Sequence, residues 1–171
     1  MQPSQHALSA GSAIPAGLRT ILQLAAIMLI ALVAGSTFGI WRGYDPAAYS
    51  GPAFLEVHQG AVRGLNVLLP VMGAGALLST GILAVLSRGE RTVAAAYLAA
   101  FVLMAAAGAI TRLANQPINA EVMSWTREAM PANWAEIRDA WWSWHLARTF
   151  ASIGGLLVLV LAVFADRRKN A

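Results

Sequence analysis

Residues 93–110 read VAAAYLAAFVLMAAAGAI, and one turn further on comes NQPIN at 115–119. The first stretch carries no charge and no polar group except the Tyr97 hydroxyl. As a helix rising about 1.5 Å per residue it is long enough to cross a hydrocarbon core of about 30 Å. It lacks the apolar–polar alternation of a barrel strand, so a membrane helix is the expectation. The second stretch sets two asparagines around a proline where that helix should be leaving the lipid.

Working outward, three further apolar runs appear, Leu18–Ile40, Ala61–Leu86 and Trp141–Phe164, and the run already quoted extends over Val93–Thr111. The chain has 171 residues, of which 58% are hydrophobic and 12% charged. That balance is too apolar for an ordinary soluble domain. The expected fold is all-α: a four-transmembrane-helix bundle over 18–165, preceded by a flexible tail over 1–17 and followed by a basic tail over 166–171. Small residues in GAGALLSTG and AAAGA would let helix backbones approach closely. Cysteine is absent, which removes disulfides, zinc–thiolate sites and thiol catalysis. The net charge of +4 needs no nucleic-acid partner.

The basic residues instead suggest a topology. Arg19, the pair Arg88 and Arg91, and the run Arg167, Arg168 and Lys169 fall on one side if there are four spans. By the positive-inside rule both termini are then cytoplasmic, as in a multi-pass protein of a bacterial inner membrane. Arg42, Arg112, Arg127 and Arg138 on the other side weaken that bias. A cleaved leader ending near ALVAGS would be an alternative, but the apolar run is longer than a usual signal core.

Prolines punctuate the pattern. Helix is expected to begin near Ala53 and to continue with a kink at Pro70. SRGER at 87–91 is a short turn, so the second and third spans should be antiparallel neighbours. Pro117 should push Gln116 out of helical geometry and stop the third helix near Asn115. Asn119 would then cap a short outer helix over Ala120–Met130. Asn133, with Glu136 three residues on, would open the fourth helix near Trp134, to run to about Phe164.

The fourth helix carries a polar stripe. At 100° per residue, Trp134, Arg138, Trp141, Trp142, His145, Arg148, Thr149 and Ser152 fall within about 120° of arc. Arg148 lies about 10 Å below Trp141. An arginine at that depth costs about 2.5–3.5 kcal/mol on insertion scales, so it should face the bundle and find partners. Other runs offer them at the same level: Arg63 and Asn66, with Glu56 and His58 above; Ser36 and Thr37; Thr111 and Asn115. The opposite halves of the runs read as nearly pure Leu, Val, Ala and Ile, so the polarity is expected at one end only. Structural roles compete at several positions: Trp144 as interfacial belt, Asn119 and Asn133 as caps, Asn66 as an interhelical clamp, Arg138 as a solvated helix-start residue.

The pattern TRLANQPINAEVMSW followed by NWAEIRDAWWSWHLARTF resembles the anthrone oxygenase-like family of small four-helix membrane proteins. That family shows N-x-P-[IL]-N after the third span, a downstream tryptophan, then an arginine, a tryptophan and an H/N-x-x-R element opening the fourth. Those positions here are Asn115, Pro117, Asn119, Trp125, Arg138, Trp141, His145 and Arg148, and the resemblance covers about residues 20–165. It implies oxidation of a lipophilic aromatic, as some members are implicated in turning anthrones into anthraquinones. Such chemistry needs a base for an acidic C–H or phenolic proton and cations for the resulting oxyanion. His145 is the expected base, with Arg148 and Arg138 as oxyanion holders. Asn66, Asn115, Asn119, Trp125, Trp141 and Arg63 are expected to line an outward-facing pocket. A variant places copper or iron on His58, His145 and Glu56. The expected partners are the lipid bilayer, a lipophilic small molecule and, in one arrangement, further copies of the chain. The competing function is a non-catalytic accessory subunit that uses the polar cluster to hold a lipid or a partner helix. A transporter is disfavoured, since four spans without repeats offer no through-path.

Overall fold

In the computed structural model, which describes residues 15–170, every regular element is helical. In order they are α1 (Ala16–Gly43), a single 3-10 turn (Pro46–Ala48), α2 (Gly51–Leu65), α3 (Leu68–Leu86), α4 (Arg91–Ile110), a π-type turn (Thr111–Asn115), α5 (Gln116–Met123) and α6 (Trp134–Asn170). Four segments are long and apolar enough to cross a membrane: Gly17–Ala48, Leu68–Leu86, Arg91–Met123 and Trp134–Lys169. The chain is a multi-pass integral membrane protein built as a four-helix bundle, with the short α5 between spans three and four. Of the expected N-terminal tail, residues 1–14 lie outside the described residues. Arg167, Arg168 and Lys169 form the last turn of α6.

The four long helices close a ring: α1 packs on α3 and α6, and α4 packs on the same two. Between them lies a core that includes Ala26, Ile30, Ala76, Leu83, Tyr97, Ala100, Met104 and Leu159. Apolar side chains such as Leu24, Met28, Val71, Leu78, Leu98 and Leu157 stand exposed on the outside, as a lipid-facing surface requires. In lipid, burial between helices gains little from leaving water, so close packing has to supply the adhesion. At Gly155 α6 lies close on α4: a Cβ there would meet Met104 Cγ at 3.1 Å and the Ala100 carbonyl oxygen at 3.6 Å.

Two prolines act differently from the expectation. The second helix does not kink at Pro70; it breaks at Asn66–Val67, and α3 starts afresh at Leu68. Pro70 has no N–H for the Asn66 carbonyl four residues back, and its ring would press on that oxygen, so the ladder ends there and Pro70 sits in the first turn of α3. Pro117 does not stop the third helix either. Gln116 keeps helical angles (φ −65°, ψ −39°), and its N–H reaches Thr111 O five residues back. The widened turn inserts one residue and lets the helix run on past the proline. Consequently Asn119 is no cap but a mid-helix residue facing inward, and the outer helix ends at Met123 rather than Met130.

Above the bundle, α2 lies against α5. Phe54, Leu55, Val122 and Trp125 form a second small core there. Gln59 Nε2 donates to the carbonyls of Val122 (3.0 Å) and Trp125 (3.1 Å), tying α2 to the end of α5. The result is a roof over one end of the bundle.

The opposite end corrects the expectation of one-sided polarity. Asp166, buried on α6, accepts from Arg19 Nε (2.8 Å) and Nη2 (2.7 Å), from Gln23 Nε2 (2.8 Å) and from Tyr97 Oη (2.9 Å). Arg19 Nη2 also donates to Ser87 Oγ at 2.6 Å. This knot ties α1, α4, α6 and the α3–α4 turn together. Removing one member of such a pair leaves the other charge uncompensated. Asp166→Ala is expected to cost about 3 kcal/mol, the low end of the range for buried pairs, because Arg19 is partly exposed. The double variant Arg19→Met/Asp166→Leu should recover most of that loss in thermal denaturation in detergent.

Candidate active site under the α2 roof

The fourth helix is the spine of the site. Trp141, His145, Arg148, Thr149 and Ser152 are all buried, at the spacing of one helix face. Arg148 is 9% exposed. Its Nη2 and Nε lie 2.9 Å and 3.3 Å from His145 Nδ1, one turn earlier. Arginine can only donate, so Nδ1 is the acceptor. His145 Nε2 lies 3.1 Å from the Thr37 carbonyl, which can only accept, so Nε2 carries the proton. Both nitrogens of His145 are therefore engaged, and the ring is further clamped by stacking on Trp141 (5.1 Å, 15°) and Trp142 (5.4 Å, 13°).

The asparagines of the 115–119 motif grip this spine. They stand four residues apart and so share a face of the helix. Asn115 Nδ2 donates to the Trp141 carbonyl at 3.1 Å. Asn119 Oδ1 accepts from Trp141 Nε1 at 2.8 Å, while its Nδ2 donates to Asn66 Oδ1 at 2.9 Å. One amide thus joins α5, α6 and the break between α2 and α3.

Between the spine and the roof lies an outer cavity of about 200 Å³, bounded by Tyr44, Tyr49, His58, Asn66, Asn119, Trp141 and Arg148 among others. Below it lies an inner cavity of about 440 Å³. His58, on α2, is 2% exposed and packs edge-on to Trp141 at 4.7 Å. Its Nε2 is buried without a hydrogen-bond partner among the described residues, and so is the Tyr44 hydroxyl. Burial holds the His58 imidazole down at a pKa of about 4; Asn119 beside it pulls the other way, and the Arg148 charge adds to the lowering. Buried groups of this kind are rare unless something fills the space before them.

The structure gathers Asn66, Asn119, Trp141, Arg148 and His58 around one cavity. His145 and Asn115 stand behind that wall and hold it. Trp125 packs in the second core. Arg63 is exposed on α2. Arg138 lies over the Trp134 ring at 5.1 Å and donates to Asp139 at 2.8 Å. Glu56, also exposed, pairs with Arg127. His58, His145 and Glu56 therefore do not converge as a ligand set. No group of three or more His, Asp or Glu suited to a metal ion occurs among the described residues. Tyr44 and Tyr49 were not singled out from sequence. They stack at 5.4 Å across the 3-10 turn that Asp45 caps, and only the RGYDPAAYSGP spacing hinted at such a turn.

Residues 60–158, more than half of the chain, match the family model described as Anthrone oxygenase. Searches of curated proteins and of solved structures gave no match.

Two expected outcomes follow from the geometry. Asn119→Ala leaves Trp141 Nε1 and Asn66 Oδ1 without partners, and should lower stability by about 1–3 kcal/mol for each group left unsatisfied. For His58 the folded pKa lies below the unfolded one, so the unfolded chain takes up the proton first. Stability should fall as pH drops from about 6.5 toward the folded value of about 4. His58→Gln should flatten that limb in melting curves measured across pH.

Proposed function

The chain belongs to the anthrone oxygenase family, and from that premise we propose that it oxidises a lipophilic hydroxylated aromatic in the cavity beneath α2. The observation that carries this reading is the pairing of two unsatisfied buried groups, His58 Nε2 and Tyr44 Oη, with a guanidinium on the same aromatic-walled cavity. A planar ring is taken into the cavity that Tyr44, Tyr49, His58 and Trp141 border. Burial keeps the His58 ring neutral at neutral pH, and in the tautomer with its proton on Nδ1 the substrate hydroxyl donates to Nε2. Arg148 stands on the same wall, where the oxyanion develops once the proton leaves.

The roles divide accordingly. His58 takes the proton of the phenol or enol. Arg148 carries the negative charge, which offsets the weak basicity of a buried imidazole. His145 is a positioning residue: it occupies two guanidinium nitrogens and fixes the direction of the third. Asn119 and Asn66 set the roof height. For an anthrone-type substrate the atoms balance with dioxygen as the only co-reactant. The carbanion at the methylene carbon bonds to O₂, the peroxide takes up a proton, and loss of water leaves the carbonyl. Arg148 also attracts O₂-derived anions, keeping the peroxide inside until water is lost.

The cavity faces the side opposite the Arg19–Asp166 knot. With Arg19, Arg88, Arg91 and Arg167–Lys169 toward the cytoplasm, it opens in the outer leaflet. Oxygen uptake in nanodiscs with lipophilic phenols and anthrones tests the reading. His58→Gln should lower kcat/KM about 100-fold or more, and Arg148→Met about 100- to 1,000-fold. Glu56→Gln, on the exposed face, should leave the rate unchanged. A folded parent protein that consumes no oxygen with any such aromatic contradicts the proposal.

A further inference from the structure

A ring bound at His58 fills the outer cavity and leaves the larger inner one without a role. The two cavities share Leu69, Pro70, Thr111 and Arg148, so they adjoin at the level of the guanidinium. Its chemistry changes at that point. Ile30, Val33, Leu77 and Met104 form the walls. The hydroxyls that reach it are turned to their own helices: Thr37 Oγ1 to Ala34 O at 3.1 Å, Thr111 Oγ1 to Ala107 O at 2.8 Å, Ser152 Oγ to Arg148 O at 2.8 Å. Away from Arg112, Gln116 and Arg148, which border the cavity, a polar occupant would find almost nothing to bond, whereas a hydrocarbon would lose nothing.

The space is also open rather than loosely packed. A Cβ added at the half-buried Gly73 on α3, or at Gly108 on the exposed rim that α4 gives the cavity, meets no atom within 4 Å. On α1 the wall runs from Ile30 to Thr37, about 10 Å along the helix axis. Lining atoms around such a void lack contacts on one side, and an apolar filler restores them. Arg112, exposed on the outside of the bundle, also borders the cavity, so it reaches the surface at the level of the π-type turn.

We propose that the substrate is an amphipathic aromatic, a hydroxylated ring bearing an aliphatic chain, and that the inner cavity holds the chain while the ring lies at His58. The assignment rests on the ring-oxidation reading for one end of the molecule only. The chain enters sideways from the bilayer beside Arg112, ring end uppermost. The inner cavity thereby sets specificity: a tail-less ring binds by its hydroxyl alone, and a tailed ring by both ends.

The test is calorimetric binding of 4-octylphenol and 4-ethylphenol to the full chain in nanodiscs, with protein-free nanodiscs subtracted to remove partitioning. Gly73→Leu and Gly108→Leu plug the inner cavity without touching the outer one. Unchanged 4-ethylphenol binding in these variants reports that they fold. The expected result is a tenfold or greater loss of 4-octylphenol affinity in each plugged variant and no change for 4-ethylphenol. Equal 4-octylphenol affinity in parent and plugged proteins overturns the chain site, while the ring reading stands if His58→Gln still weakens 4-ethylphenol. Octylphenol affinity that falls on plugging but ignores His58→Gln supports the chain site and sinks the ring reading. Binding of neither phenol to the parent overturns both.

Discussion

A guanidinium held among apolar helices needs an acceptor, and in this protein the acceptor is a neutral imidazole one turn away. Arg148 cannot shed its charge at any ordinary pH, so the fold has to accommodate it. His145 does so with the lone pair of Nδ1, and it can offer that lone pair only because its other nitrogen gives its proton to the Thr37 carbonyl. The tautomer is thus fixed by α1, the arginine by the tautomer, and the cavity wall by the arginine. Much of the half of the bundle next to α2 supports this chain of donors and acceptors. Trp141 and Trp142 stack on the imidazole and keep it from rotating. Asn119 of α5 and Asn115 at the end of the π-type turn hold Trp141 by its indole and its carbonyl.

Two proline-driven irregularities make room for the cavity. Because Pro70 ends the helix ladder at Asn66, the chain above it departs from the bundle axis as α2 and becomes a roof instead of filling the space beside α4. Because Pro117 forces a wide turn at 111–115, Asn115 and Asn119 come round to face α6. Had either helix run straight, the polar groups of α2 and α5 would point at solvent or lipid. The break is exposed at Val67, and its backbone stays bonded through Asn66 N–H to Val62 O and Val71 N–H to Val67 O.

Much of this was written locally in the sequence, and some was not. Four spans follow from four apolar runs. The phase of the last helix alone put Trp141, His145, Arg148 and Ser152 on one face, and that face is the buried one. What local patterns could not supply was partner choice. Asn119 looked like a cap, since caps are the commoner use of asparagine after a proline; its true partners lie 22 and 53 residues away. Arg19 reads from sequence only as a topology charge, and Asp166 as the start of a basic tail beyond the last span. They pair across 147 residues, and no periodicity encodes that. From sequence His58 stands only as a metal-ligand candidate above Asn66, because the break at Asn66, which aims α2 inward, comes from a proline four residues further on. His145 had the more suggestive neighbourhood, yet the nitrogen left free is on His58.

The central claim is that the space bounded by His58, Tyr44 and Arg148 receives an aromatic ring. An experimental structure of the protein in lipid with a bromine-labelled lipophilic phenol tests it directly, because anomalous scattering locates the bromine without interpretation of weak density. The account expects one bromine position under α2, with the phenol oxygen within hydrogen-bond reach of His58 Nε2 and facing Arg148. Bromine found only along the lipid-exposed surface, with His58 and Tyr44 closed onto each other over a filled cavity, would contradict it.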